Sequence, residues 1–124
     1  MDMSFLLDYD EPKQMVEEDL IPNRDSPTEL KYITKAKAYL TRFGLVKTNT
    51  DFSTQWLNKS ENYYALLLCE KRQPSISCIH NLLHNLQKAS DVAEYDNKKG
   101  ITTQLNRLIS EGQNHLTKRL IKYL

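Results

Sequence analysis

A chain of 124 residues, 40% hydrophobic and 27% charged, suits one compact domain with an appendage, since a core of about a hundred residues needs no disulfide to be stable. The formal net charge of +1 conceals an asymmetry: residues 1–25 hold eight acids against Lys13 and Arg24, a balance of −6, so the remainder carries +7 and is suited to a polyanion. No run approaches the ~20 apolar residues of a membrane span, the start Met1-Asp2-Met3-Ser4 lacks the basic head of a secretory signal, and Cys69 and Cys78 have no Cys or His partners at zinc-finger spacing. A cytoplasmic protein with free thiols and no membrane association is expected.

Residues 1–25 combine clustered acids, Pro12 and Pro22 with an apolar knot of Phe5, Leu6 and Leu7, which reads as an arm outside the core. Two roles stay open for it, a flexible solvated tail or a docking segment for a protein partner in which Met15, Val16 and Leu20 form a short amphipathic turn. Ser26-Pro27-Thr28-Glu29 has the pattern of a capping box with proline at the first helical position. The first helix is expected to start there, with Leu30, Ile33, Ala36 and Leu40 on one face and a C-cap at Gly44. Leu45 to Thr50 reads as a loop with Leu45 and Val46 turned inward, and Thr50 or Asp51 is placed to cap the next helix.

Residues 51–79 read as two short helices around a polar corner and a third helix capped behind a proline. The first offers Phe52, Trp56 and Leu57 as apolar anchors, and Asn58-Lys59-Ser60 supplies turn-tolerant residues. The second is expected over Glu61 to Glu70, with Tyr64, Leu67 and Leu68 at three-to-four spacing toward the core. Lys71-Arg72-Gln73-Pro74 forms a basic loop, and Ser75 caps a helix reaching Leu86 or Lys88. Polar residues then suggest a linker over 91–100. A final helix from Ile101 to Tyr123 carries Leu105, Leu108, Ile109, Leu116 and Leu120, more apolar surface than a lone helix leaves wet. It packs either on its own domain or on a second copy as a homodimer through residues 101–124. Gly112 within it costs about 1 kcal/mol relative to alanine unless a close approach requires it.

Sites for chemistry are sparse. His80 and His84 stand at i and i+4 but no third ligand is near in sequence, and His115 is distant, so a surface role is expected rather than a metal site. The three glycines form no phosphate loop and there is no nucleophile elbow. No catalytic residue, metal or cofactor is assigned, and an enzyme is not expected.

The segments Phe52-Ser53, Trp56-Leu57, Lys59-Ser60, Asn62-Tyr63-Tyr64 and Arg72-Gln73-Pro74-Ser75 resemble the repressor-like helix-turn-helix domains of bacteria and their phages, and more narrowly a group of small uncharacterised bacterial proteins. The likeness covers roughly residues 28–88. It departs from the wider family at two points: Asn58 stands where the corner usually has glycine, and Phe52 to Leu57 is one residue longer than the usual first-helix spacing. The resemblance implies an all-α, five-helix protein with a domain over 26–90 that binds double-stranded DNA as a transcriptional regulator, most simply a repressor occupying an operator. On this reading Lys59, Ser60, Tyr63, Lys71 and Arg72 contact the phosphate backbone, Glu61, Asn62 and Leu66 face base edges, and Phe52, Trp56, Tyr64 and Leu67 are core. The rival class is a protein-interaction adaptor or antitoxin on the same scaffold, in which the same face meets a protein.

Overall fold

The computed structural model describes residues 27–122, and all of its regular structure is helical. The acidic arm of residues 1–25, with its two open roles as tail or docking segment, and the Ser26 side of the expected capping box lie outside the described residues. Five helices follow in order: α1, Thr28–Arg42; α2, Asn49–Asp51 continued without a break by a π-helical segment Phe52–Trp56; α3, Tyr63–Glu70; α4, Ile76–Tyr95; and α5, Lys99–Ile121.

Helix α1 begins behind Pro27, whose missing N–H and fixed φ suit a helix start; no side chain caps it. Glu29, whose capping-box partner Ser26 lies outside the described residues, is buried and accepts from Gln73 Nε2 at 2.8 Å and Arg119 Nη1 at 3.0 Å. The guanidinium of Arg119 also donates to the Pro74 carbonyl, so a single buried carboxylate ties together the start of α1, the loop after α3 and the end of α5. The far end of α1 closes as the glycine pattern predicts. Gly44 has φ +81°, its N–H donates to Thr41 O, and Leu45 N–H donates to Leu40 O, the paired bonds of a Schellman cap.

The core gathers Tyr32, Ile33, Ala36 and Leu40 of α1, Phe52 and Leu57, Tyr64 of α3, Ile79, Leu82 and Leu86 of α4, and Leu105 and Leu108 of α5. Of the loop pair expected inside, Val46 is buried but Leu45 is 44% exposed.

Two features differ from the sequence reading. Helix α4 runs to Tyr95 rather than stopping at Leu86 or Lys88, and only Asp96 to Lys98 turn the chain into α5. The stretch 91–100 is therefore not a linker. Its polar residues Asp91 and Glu94 occupy the solvated side of α4 while Ser90 and Ala93 remain buried, and Ser90 Oγ donates to Asn106 Oδ1 at 2.8 Å. Asn97, at φ +61°, provides the turn, with Lys98 N–H donating to Ala93 O at 2.8 Å.

The second difference concerns α5, whose destination the sequence leaves open. It lies along α4 in the most extensive helix pairing of the fold, with Leu105 and Leu108 fully buried and the Tyr32 hydroxyl donating to Leu108 O at 2.6 Å. Gly112 permits this approach. A Cβ there would lie 2.5 Å from Leu83 Cδ2 and 2.9 Å from Tyr32 Cζ. The part of this face that Leu105 and Leu108 carry is thus packed on the domain's own core, because two helices of 20 and 23 residues bury their stripes most completely against each other, while Leu120 and Ile121 stay exposed.

Candidate nucleic-acid interface

The unit formed by α2, the corner and α3 is held by side chains whose partners are all specific. Ser53, fully buried, accepts the N–H of Tyr64 in the first turn of α3 at 3.0 Å, which fixes one helix start against the other helix and removes an orphan donor. Phe52 and Tyr64 meet edge to face with ring centroids 5.1 Å apart. From α4, Asn81 Nδ2 donates to Leu57 O at 2.9 Å, and Asn85 Nδ2 donates to Trp56 O at 3.0 Å and Gln55 O at 3.2 Å. Two asparagines one turn apart thereby satisfy the last carbonyls of α2, which a chain leaving a helix for a tight corner would otherwise strand.

The two departures in the sequence pattern acquire a geometry. The extra residue between Phe52 and Leu57 is taken up by the π-helical segment, in which Leu57 N–H donates to Phe52 O at 3.1 Å across five residues. A π-turn absorbs one residue without ending the helix. At the corner Asn58 has φ +55°, the left-handed conformation that glycine adopts freely and asparagine adopts more readily than other side chains. The start of α2 is capped by Thr48, whose Oγ1 accepts Asp51 N–H at 3.0 Å, rather than by Thr50 or Asp51.

Helix α3 starts at Tyr63, two residues later than expected. Ser60 carries no helix cap, since its carbonyl accepts Tyr63 N–H at 3.1 Å in a turn, and the N-cap is Asn62 with no side-chain cap bond. Tyr64 and Leu67 face the core and Leu68 is half-buried, while Glu61, Asn62, Ala65 and Leu66 are exposed, as the helical period predicts. The Tyr63 hydroxyl is engaged within the fold: it accepts Ser75 N–H at 3.2 Å and lies 3.5 Å from Ser75 Oγ. Trp56, expected in the core, is half-buried at its margin.

The basic residues cluster at both ends of α3. Lys59 Nζ donates to Ser77 Oγ at 2.7 Å and lies 5.6 Å from the Tyr63 ring centroid, which brings its charge beside the first turn of α4. Ser75 caps that turn by accepting Cys78 N–H at 3.1 Å. Lys71 is exposed and sits at φ +51°, ψ +46°, closing α3 with Arg72 N–H on Leu67 O at 3.0 Å. Arg72 pairs with Glu70 at 2.9 Å, both side chains about half exposed, a contact that water and salt weaken. Sequence reasoning missed Ser77, Asn81, Asn85 and Arg119, although the asparagines at i and i+4 in an apolar stripe were a readable signal.

Both thiols are unpaired; Cys69 is exposed and Cys78 buried. Burial pushes the Cys78 thiol up to about 11, against smaller downward pulls from Tyr63, Lys59 and Arg119, which leaves it protonated and inert near neutrality. His80 and His84 are exposed on α4, whereas His115 packs on Tyr32 with centroids 5.2 Å apart. No three His, Cys, Asp or Glu side chains gather into a metal-binding group among the described residues, and none of the described helices is long and apolar enough to cross a membrane.

The family model described as a family of unknown function, DUF6626, matches residues 33–123, from the first turns of α1 through α5. No curated protein and no solved structure matches the chain.

Proposed function

The chain belongs to the DUF6626 family, and we propose that it binds double-stranded DNA in a sequence-specific way through α3, as a transcriptional regulator of repressor type. The observation that carries the reading is the left-handed corner at Asn58 between α2 and α3. It turns two short helices against each other, buries Tyr64 and Leu67, and leaves Asn62, Ala65 and Leu66 exposed on a helix bracketed by Lys59 at its start and by Lys71 and Arg72 at its end. A helix presented in this way can enter the major groove while the flanking cations meet phosphates. The first turn of α4, with Ser75, Ser77 and the adjacent Lys59, offers a further backbone contact. Asn62 is suited to adenine and Glu61 to the cytosine amino group.

Glu61, Glu70 and the exposed Leu66 favour a second reading, in which the face meets a basic, partly apolar protein surface as an adaptor or antitoxin would. Fluorescence anisotropy on random-sequence duplex DNA across a salt series separates the two. The DNA reading expects log K to fall by about 0.9 per log unit of salt for each phosphate neutralised, and expects Lys71→Ala with Arg72→Ala to weaken binding to every duplex alike. No binding at low salt by the folded full-length protein excludes it in favour of the protein partner.

A further inference from the structure

Where α4 passes the end of α2, the fold leaves a hole and a knob side by side. The hole is a cavity of about 410 Å³ whose apolar lining comes from Phe43, Leu45, Trp56, Ala89, Val92 and Ile101. An apolar cavity of about 150 Å³ already accepts a benzene ring, so an aromatic side chain fits. The knob is Tyr95, 89% exposed at the last residue of α4; Val92, 61% exposed and one turn before it, forms the near edge of the hole.

We propose that this face is a two-fold interface between copies of the chain, in which Tyr95 of each protomer enters the hole of the other. In a second copy related by a two-fold axis, a knob and a hole carried on one face are self-complementary. The charges agree. Lys88 and Lys98 line the hole together with Asp96, while Asp91 and Glu94 are the exposed acids flanking the knob, so the acidic flank of one copy meets the basic rim of the other. Asp91 also accepts from Gln87 Nε2 at 3.1 Å, which leaves its second oxygen for a lysine. This inference does not rest on DNA binding, and its test contains no DNA.

Sedimentation equilibrium of the full chain from micromolar to near-millimolar concentration tests the mass, and the emission of Trp56, the sole tryptophan, reports the hole itself. A monomer–dimer equilibrium is expected, with Trp56 emission moving to shorter wavelength in step with dimer formation. Tyr95→Ala and Val92→Lys, both at exposed positions, should keep the melting temperature and raise the dissociation constant by about tenfold or more. Asp91→Lys with Glu94→Lys should do the same, and adding Lys88→Glu and Lys98→Glu should restore association. A chain monomeric at every concentration overturns the proposal. So does a dimer indifferent to Tyr95→Ala, and so does a Trp56 shielded equally at all dilutions, which would assign the hole to another part of the same chain.

Discussion

Replacing Lys71 with glycine separates stability from binding at the end of α3. Lys71 holds φ +51°, ψ +46°, a left-handed conformation that costs an ordinary L residue about 1–2 kcal/mol. Glycine removes that strain but adds about 0.5–1 kcal/mol of backbone entropy to the unfolded chain. The net expectation for Lys71→Gly is a gain of about 0.5–1 kcal/mol, or a rise in melting temperature of roughly 2–5 °C. Gly44 supplies an internal control: it performs the same closing role for α1 at φ +81°, so Gly44→Lys should destabilise by a comparable amount. Circular dichroism melts of the three proteins measure both effects. On the DNA reading the stabilised variant also loses a phosphate contact, and its salt slope should shrink by about 0.9. A Lys71→Gly melt equal to or below that of the unmodified chain would refute the strain argument, and a raised melt with undiminished DNA affinity would detach Lys71 from the interface.

Gly112→Ala should destabilise by about 1–3 kcal/mol despite the better helix propensity of alanine, because the added methyl collides with Leu83 and the Tyr32 ring; a thermal melt that rises instead would mean α5 does not pack this closely. Asn62→Ala should leave stability within about 0.5 kcal/mol, since the side chain makes no capping bond, while relaxing the preference at one base pair by about 1–3 kcal/mol in a binding-site selection. Alkaline titration should unfold the protein progressively. The Cys78 thiol is raised from 9.0 to about 11 by burial, and the Tyr32 and Tyr64 hydroxyls are also pushed up by burial. Each group binds its proton more tightly when folded, so its contribution is whole below the unfolded value and is lost as pH rises through the folded one. Stability measured by urea melts should accordingly decline from about pH 9 upward, and a flat profile to pH 11 would contradict the burial of Cys78. An aromatic disulfide reagent at neutral pH should label Cys69 alone.

Period and cap residues make much of this fold legible in the sequence. The all-helical class, the closing of α1 at Gly44, the capping of α4 by Ser75 and the inward set Tyr64, Leu67 and Leu68 depend on contacts within a few residues, where spacing and local hydrogen bonds carry the information. The same locality explains the errors. The stretch 91–100 reads as a linker because Asp91, Asp96, Asn97 and Gly100 punctuate it, yet a helix needs only one buried face, and Ser90 and Ala93 suffice when α5 lies against them. Glu29 has the sequence signature of a capping residue, and nothing local announces that Gln73 and Arg119, 44 and 90 positions away, meet its carboxylate in a buried site. Tyr63 reads as a phosphate contact from its place in the helix, and only the folded chain shows that its hydroxyl also accepts the Ser75 N–H before α4. The destination of α5 is undecidable from its stripe, which is equally apolar to its own core and to a second copy; the space at Gly112 and the reach of Tyr32 to Leu108 decide it. What the chain specifies alone is which faces are apolar and where helices stop. Which apolar faces meet, and which polar groups are drawn from the surface into the frame, depends on close packing among distant segments, a constraint that exists only once the chain has folded.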